Sequence, residues 1–236
     1  MVDPYRTEEE QIEALKRGWQ RHGRSIVTGI LVALAGVFGW QAWQRQQSQQ
    51  EVAAFAGYQG YLEALVQAES QSENADAAAT AAHLANELKE NHARTAYAGY
   101  AAWHQARRAV AASDLETAET ELRWALDHTD RGFMNGDDAP MAAISRLRLA
   151  QVLLAQARLD DALEVLNAVQ DKAYTVRKQA LLGDLWLAKG EPELALAAFQ
   201  QALAAGTPGD PTTALVEIKA AQLAGPATSN ETQDAS

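Results

Sequence analysis

An uninterrupted apolar stretch near the start of the chain gives way to amphipathic segments over the remainder. Residues 25–44 carry no charged side chain, and their central part, from Ile26 to Phe38, is almost wholly apolar. At a helical rise of about 1.5 Å per residue, such a segment crosses roughly 30 Å of hydrocarbon. We therefore predict a transmembrane helix over residues 25–44.

Two other structures would also produce an apolar stretch of this kind, a buried core helix and a cleaved signal peptide. A helix in a globular core rarely keeps all of its faces uncharged over such a length. A signal peptide has a shorter apolar core of about 7–15 residues followed by small residues at a cleavage site. Here the bulky Trp40 and Trp43 follow instead, and indole rings prefer the boundary between headgroups and hydrocarbon. The sequence therefore favours an uncleaved anchor.

The charges on either side of the apolar stretch predict its orientation. Lys16, Arg17, Arg21 and Arg24 precede it, whereas only Arg45 follows it closely. Positive flanking charges remain in the cytoplasm, so the N-terminus is expected there and the larger C-terminal part is expected outside. Residues 1–24 also have the spacing of a short amphipathic helix suited to a membrane surface. The residues expected at the membrane interface are Trp19, Arg24, Trp40 and Trp43.

Beyond the apolar stretch, three segments share one pattern of small and large residues. They span residues 99–126, 143–169 and 180–203, and each reads as a helix, a tight polar turn and a second helix. In every segment a leading alanine in the second helix follows another small residue in the first helix by twelve positions. These pairs, in chain order, are Ala106 and Ala118, Ala150 and Ala162, and Gly183 and Ala195. Small residues facing each other let two helices pack closely.

The spacing of these pairs indicates a repeat architecture. The leading alanines are 44 and then 33 residues apart, and the second value is close to the period of about 34 residues in tetratricopeptide repeats. The longer spacing reflects an insertion at residues 129–140. One helical pair cannot bury its own apolar face, so consecutive pairs are expected to stack.

We therefore predict an all-α protein with one N-terminal transmembrane helix followed by a tetratricopeptide-like solenoid of helical pairs. The predicted domains are a basic amphipathic cytoplasmic segment (1–24), the span (25–44), an exported tetratricopeptide-like domain (45–224) and a disordered tail (225–236). Predicted helices include residues 45–70, with an apolar stripe of Phe55, Tyr58, Leu62, Leu65 and Val66. A final helix is predicted over residues 212–223, with Leu215, Ile218 and Leu223 as its apolar residues.

The composition excludes several classes of function. A net charge of −11 disfavours nucleic-acid binding, which needs clustered Lys and Arg. The chain has no cysteine, so it has neither a thiol nucleophile nor a zinc–thiolate site. His83 and Glu87 have the spacing of two metal ligands on a helix, but a metal site needs further ligands. No catalytic motif occurs, and we expect neither an enzyme nor a bound cofactor.

The remaining class of function is protein binding. In a solenoid of helical pairs, the first helices line up and present a shared face to a partner. Apolar and aromatic side chains ringed by polar ones suit an extended polypeptide, although the same apolar residues would also serve as ordinary core. The candidate groove residues are Tyr100, Trp103, Arg107, Leu147, Gln151, Leu154, Arg177 and Asp184.

The opening of the chain resembles the YfgM family, the ancillary subunit of the bacterial SecYEG translocon. The resemblance rests on QIEALKRGWQRHGRSIVTGILVALAGVFGWQAWQ, residues 11–44, and continues through the repeats to about residue 223. The positions that carry it are Gln11, Glu13, Ala14, Lys16, Arg17, Gly23, Gly39, Trp40 and Trp43. The insertion at residues 129–140 departs from the family pattern.

This resemblance implies a single-pass protein of the bacterial inner membrane with a periplasmic tetratricopeptide-like domain. Its implied partners are the SecYEG translocon, a membrane-anchored chaperone resembling PpiD, and polypeptides emerging from the translocon. The implied role is a scaffold that helps pass translocated proteins to periplasmic chaperones. The alternative is a structural scaffold in another envelope complex, in cell division or outer-membrane assembly.

Overall fold

The computed structural model describes residues 6–70, 75–129, 139–207 and 209–224. The expected tail at 225–236 and most of the insertion at 129–140 lie outside these residues. The described part is helical, as the sequence predicts. Its helices are α1 (Arg6–Ser70), α2 (Ala75–Asn91), α3 (Ala96–Ala111), α4 (Leu115–Thr129), α5 (Ala139–Ala155), α6 (Leu159–Asn167), α7 (Thr175–Ala188), α8 (Pro192–Ala205) and α9 (Pro211–Ala224).

The chain divides into two compact units, Met1–Ala53 and Ala54–Ser236. In the first unit, α1 carries a segment beginning at Val27 that is long and apolar enough to cross a membrane. The most apolar part of this segment is wholly unburied, with Leu31, Val32 and Phe38 all at least 60% exposed. A soluble protein rarely leaves such a patch open to water. The helix is therefore a candidate membrane span, and the exact limits of the predicted domains stay predictions.

In the second unit, the three predicted helical pairs are confirmed as α3–α4, α5–α6 and α7–α8. Two residues after the first helix of each pair ends, the chain has a residue in the left-handed conformation, namely Ser113, Ala157 and Gly190. The following N–H groups donate to carbonyls near the helix ends: Asp114 to Ala109, Arg158 to Leu153, and Glu191 to Trp186, at 2.8–2.9 Å. This hydrogen-bond pattern is the Schellman motif, which reverses the chain within a few residues. The same turn therefore builds each pair.

The predicted small residues of each pair are buried between helices, as their spacing indicates. The leading alanines Ala118, Ala162 and Ala195 are completely buried. Their counterparts in the first helices are buried as well: Ala106, Ala150 and Gly183. The larger residue four positions after each leading alanine fills the adjoining space, and these residues are Leu122, Leu166 and Phe199. The alternation of small and large residues thus fixes how the helices pack.

Gly183 offers a direct test of this packing. A Cβ atom placed on Gly183 would overlap the buried ring of Phe199, whereas one placed on Gly60 in α1 meets no neighbouring atom. Gly183→Ala is expected to lower the free energy of unfolding by about 1–3 kcal/mol because it overpacks the contact. Gly60→Ala is the matched control and should raise it by about 0.5–1 kcal/mol. Chemical denaturation of both variants checks this, and a stabilising Gly183→Ala would contradict the packing.

Two predicted apolar stripes are confirmed only in part. In the last part of α1, Leu65 is buried and Tyr58 and Leu62 pack against the same cluster, whereas Phe55 and Val66 are 45% and 65% exposed. In α9, Leu223 packs against α8, but Leu215 and Ile218 are more than half exposed, and Thr213, Val216 and Ala220 face the core instead. Small residues such as Ala64, Ala68 and Ala220 supply part of each interface, so the bulk of the side chains alone does not identify the buried face.

Three hydrophobic clusters hold the second unit together. The main core joins α3 to α7 and contains Leu122, Leu153 and Leu185. A second cluster packs the end of α1 against α2 and α3, around Tyr61. A third packs α8 and α9 around Phe199. Because α3 contacts α5, α5 contacts α7 and α7 contacts α9, the first helices of successive pairs form one row.

Candidate functional site

A cavity of about 680 Å³ opens beside this row of first helices. Its volume lies within the range typical of ligand pockets, roughly 300–1,000 Å³. The walls are supplied by the end of α1 and by α3, α4 and α5, all within the second unit. The lining residues are Tyr58, Tyr100, Trp103, His104, Ala106, Arg107, Val110, Leu115, Leu122, Arg148, Gln151, Val152 and Ala155.

Aromatic rings form one wall of the cavity. The ring centroids of Tyr58 and Tyr100 are 6.1 Å apart, and those of Tyr100 and Trp103 are 5.7 Å apart. These separations are typical of tilted aromatic pairs that stabilise one another. The three residues come from α1 and α3, so the packing of α1 on α3 assembles this wall.

Trp103 is held in place from two sides. Its indole Nε1–H donates to the hydroxyl of the buried Ser145, with a separation of 2.7 Å. The guanidinium of Arg148 lies over its ring, 4.4 Å from the centroid, in a cation–π contact. Both partners lie on α5. The orientation of this indole therefore depends on the packing of α3 against α5.

Burial shifts the pKa values of two polar groups near the aromatic wall, the Tyr58 hydroxyl and the His104 imidazole. Burial, together with the neighbouring Tyr100, raises the pKa of the Tyr58 hydroxyl, and its oxygen lies 3.5 Å from Nε2 of His104. Burial also lowers the pKa of His104 below its ordinary value of 6.5, and the positive charges of Arg107 and Arg148 lower it further against the opposing effect of Glu69. His104 is therefore neutral in the folded protein at neutral pH.

The lowered pKa of His104 makes the stability of the folded protein depend on pH in a defined direction. The unfolded chain keeps the ordinary pKa of His104, so it binds a proton at higher pH than the folded chain does. The free energy of unfolding should therefore fall as the pH drops through 6.5 towards the lower folded pKa, and then level off. His104→Gln should reduce this slope relative to that of the unaltered protein. Thermal melts across mildly acidic pH measure both slopes, and equal slopes in the variant and the unaltered protein would contradict the assignment.

The structure brings together half of the predicted groove residues. Tyr100, Trp103, Arg107 and Gln151 all line the cavity. Leu147 is instead buried in the main core, and its side chain is not available to a partner. Leu147 lies on the inward face of α5, where its side chain packs in the main core. Its assignment to the groove is therefore corrected.

The other three predicted groove residues lie away from the cavity. Leu154 is half-buried against the main core. Arg177 is exposed on α7, and Asp184 on the same helix accepts from Nζ of Lys219 at 2.6 Å. Arg177 and Asp184 thus belong to the same row of first helices but not to the cavity walls.

Sequence reasoning missed three important lining residues, Tyr58, His104 and Arg148. Tyr58 belongs to α1, which stands outside the repeat alignment that suggested the groove. His104 and Arg148 each lie within four residues of predicted groove positions. A helical wheel shows them beside Tyr100 and Gln151 but cannot show that they face the same cavity.

The side chains of three residues predicted at the membrane interface are exposed. Trp40 and Trp43 are 59% and 40% exposed, and their ring centroids are 5.2 Å apart. Trp19 is 60% exposed. The Arg24 side chain lies outside what the structure describes. Their placement at a membrane interface remains a prediction.

In residues 6–70, 75–129, 139–207 and 209–224, no group of three or more His, Cys, Asp or Glu side chains is placed to hold a metal ion. The cavity instead combines aromatic rings with guanidinium, imidazole and amide groups. Such a lining is suited to binding rather than to ligating a metal.

The helical pairs and the exposed apolar helix define a tetratricopeptide-like protein with a candidate membrane span. The family model described as a tetratricopeptide repeat-like domain matches residues 16–225. Similar proteins from Haemophilus influenzae (32% identical over 85% of this chain and 90% of that protein) and Aggregatibacter actinomycetemcomitans (34%, over 83% and 88%) are both named ancillary SecYEG translocon subunit. A relative of the same name in Escherichia coli is 26% identical over 92% of this chain and 95% of that protein. No solved structure matches the chain.

The chain therefore belongs to the family of the ancillary SecYEG translocon subunit, as its opening residues indicate. The match covers both the candidate span and the helical pairs. It thus includes the cavity as well as the anchor.

Proposed function

We propose that this protein is a non-enzymatic scaffold of the bacterial inner membrane that associates with the Sec translocon. The proposal extends to periplasmic chaperones, to which the scaffold helps pass translocated polypeptides. The observation that carries it is the presence, in one chain, of an exposed apolar span and a helical-pair domain with an open aromatic cavity. The names of three relatives support the choice of the translocon as the partner.

The span provides more than attachment in this proposal. The chain carries a net charge of −11, so anionic headgroups repel it rather than recruit it. An anchor confines the helical domain to a thin layer above the bilayer and raises its local concentration around other membrane proteins. Weak contacts with the translocon are then sufficient for association.

The chaperone partner is proposed to be a membrane-anchored protein resembling PpiD. A partner held in the same membrane benefits from the same rise in local concentration. The row of first helices offers it an extended face, and the cavity offers emerging polypeptides a place for large side chains. In this proposal the span contacts the translocon and the helical domain contacts the chaperone. Removal of the span should therefore weaken the first interaction more than the second.

The proposed orientation has a direct test. A reporter enzyme that is active only outside the cytoplasm should be active when fused after Ser236 and inactive when fused after Arg24 in a truncated chain. The reason is the excess of basic residues before the span, because positively charged flanking segments remain in the cytoplasm. Activity of the fusion at Arg24 would contradict a cytoplasmic N-terminus.

Co-purification in mild detergent tests the proposed partners. The full-length protein should recover translocon subunits and a membrane-anchored chaperone. A chain lacking residues 1–44, exported through a cleavable signal, should lose most of the translocon and retain more of the chaperone. Recovery of a cell-division or outer-membrane assembly complex without translocon subunits would overturn the proposal. Equal recovery of the translocon by both chains would show that the anchor is dispensable for that contact.

A further inference from the structure

Positive charge is concentrated at the cavity of a protein that is strongly acidic overall. The net charge is −11, yet Arg107 and Arg148 line the cavity, and Arg177 lies on the next first helix of the row. These guanidinium groups are close enough to influence one another. Partial burial and the positive charges of Arg177 and Arg107 lower the pKa of Arg148. Like charges gathered in this way favour an anion that neutralises them.

Two acidic side chains near these arginines are already paired. Glu69 pairs with Arg107 at 2.8 Å and neutralises that arginine, and Asp184 on α7 pairs with Lys219 at 2.6 Å. Within the part of the chain that the structure describes, Arg148 and Arg177 take part in no ion pair. The guanidinium of Arg148 instead rests on the Trp103 ring, at the edge of the aromatic wall. Arg148 is thus held in position by an uncharged group, and its own charge is left unneutralised.

The apolar half of the cavity lies next to this charge. Tyr58, Tyr100 and Trp103 form a wall, and Val110, Leu115 and Val152 add aliphatic surface. A space of about 680 Å³ accommodates one or two large side chains of a partner. Gln151 and His104 add polar groups at the same walls, which suits the amide groups of a polypeptide backbone. A complementary occupant therefore combines a large apolar side chain with a neighbouring negative charge.

We infer that the cavity binds an extended polypeptide segment in which a carboxylate lies beside an aromatic or large aliphatic side chain, with Arg148 receiving the carboxylate. This inference rests on the proposed function and specifies which segments of translocated polypeptides the scaffold engages. A polypeptide is favoured over an anionic membrane because the site neutralises only one or two charges, while the acidic remainder of the protein repels a densely charged surface.

The test uses the purified full-length protein in mild detergent and short fluorescently labelled peptides. One peptide carries Glu residues on either side of Phe and Leu, and its partner carries Lys in place of each Glu. Fluorescence anisotropy should show clear binding of the Glu peptide, weakening as salt screens the charges, and little binding of the Lys peptide. Arg148→Gln should weaken binding of the Glu peptide on the order of tenfold, as expected for loss of a charge-assisted hydrogen bond.

Matched variants separate this effect from a general loss of charge or of folding. Arg94→Gln removes an exposed arginine that does not line the cavity, so it should leave the affinity unchanged. Arg148→Lys keeps the positive charge and should bind the Glu peptide within a few-fold of the original protein. Unchanged thermal midpoints confirm that the variants are folded.

Three results would overturn the inference. These are equal affinity for the Glu and Lys peptides, equal losses in Arg148→Gln and Arg94→Gln, or displacement of the Glu peptide by detergent micelles containing phosphatidylglycerol but not by micelles containing phosphatidylcholine. The last result would assign the site to anionic headgroups. If the unaltered protein bound the Glu peptide but did not recover the translocon on co-purification, only the proposed function would be contradicted.

Discussion

Phe199→Ala is expected to lower the free energy of unfolding by about 3–5 kcal/mol, as truncation of a fully buried aromatic ring does. Phe199 is completely buried, and it sits where α7, α8 and α9 meet. Its ring fills the space left by the absent side chain of Gly183, so truncation of Phe199 leaves a cavity between these helices. Chemical denaturation of the purified protein in mild detergent measures this loss.

Phe55 provides the matched control for this substitution. It is the same residue type, but its side chain is 45% exposed and its ring contact is with Tyr97, at 5.5 Å between centroids. Phe55→Ala should therefore cost only about 1 kcal/mol. If the two substitutions destabilised the protein equally, the last helical pair would not pack as described.

Lys89→Met is expected to destabilise the protein by a similar amount, about 3–5 kcal/mol. Lys89 on α2 donates to both carboxylate oxygens of Glu121 on α4, at 2.7 and 2.8 Å. The two side chains are only 12% and 13% exposed, so removal of the lysine leaves a carboxylate buried without its partner. The double substitution Lys89→Met with Glu121→Leu should recover most of the loss, because no charge then remains buried.

The pair of Lys219 with Asp184 is the control for this second prediction. Its separation of 2.6 Å is similar, but its side chains are 30% and 33% exposed. Water therefore screens the charges, and Lys219→Met should cost only about 1 kcal/mol. If the double substitution at Lys89 and Glu121 were as damaging as the single one, the loss would come from packing rather than from an uncompensated charge.

The helical pairs follow from the sequence because their information is local. A leading alanine, a small counterpart in the preceding helix and a tight turn together determine one pair, and all of these lie within thirty residues of one another. Ala195 and Gly183 illustrate this, since both are buried as predicted. The apolar span is equally visible, because length and absence of charge are enough to identify it.

The cavity could be predicted only in part, because it depends on contacts between distant helices. The repeat alignment places Tyr100 and Trp103 on the first helix of a pair. It gives no indication that Tyr58 approaches them from α1, or that Arg148 covers the Trp103 ring. The alignment also cannot separate Leu147, which turns into the core, from Gln151 one helical turn later, which faces the cavity. That distinction depends on how α5 is rotated against α3 and α7.

Site-specific photocrosslinking in native membranes tests the central claim, an anchored scaffold at the translocon, most directly. A photoreactive residue would replace either Val37 in the candidate span or Tyr100 at the cavity, both of which are exposed. The account predicts crosslinks from position 37 to a membrane-embedded translocon subunit, and from position 100 to a periplasmic chaperone or a polypeptide in transit. Crosslinks from both positions to another envelope complex, with no translocon subunit among the products, would contradict it.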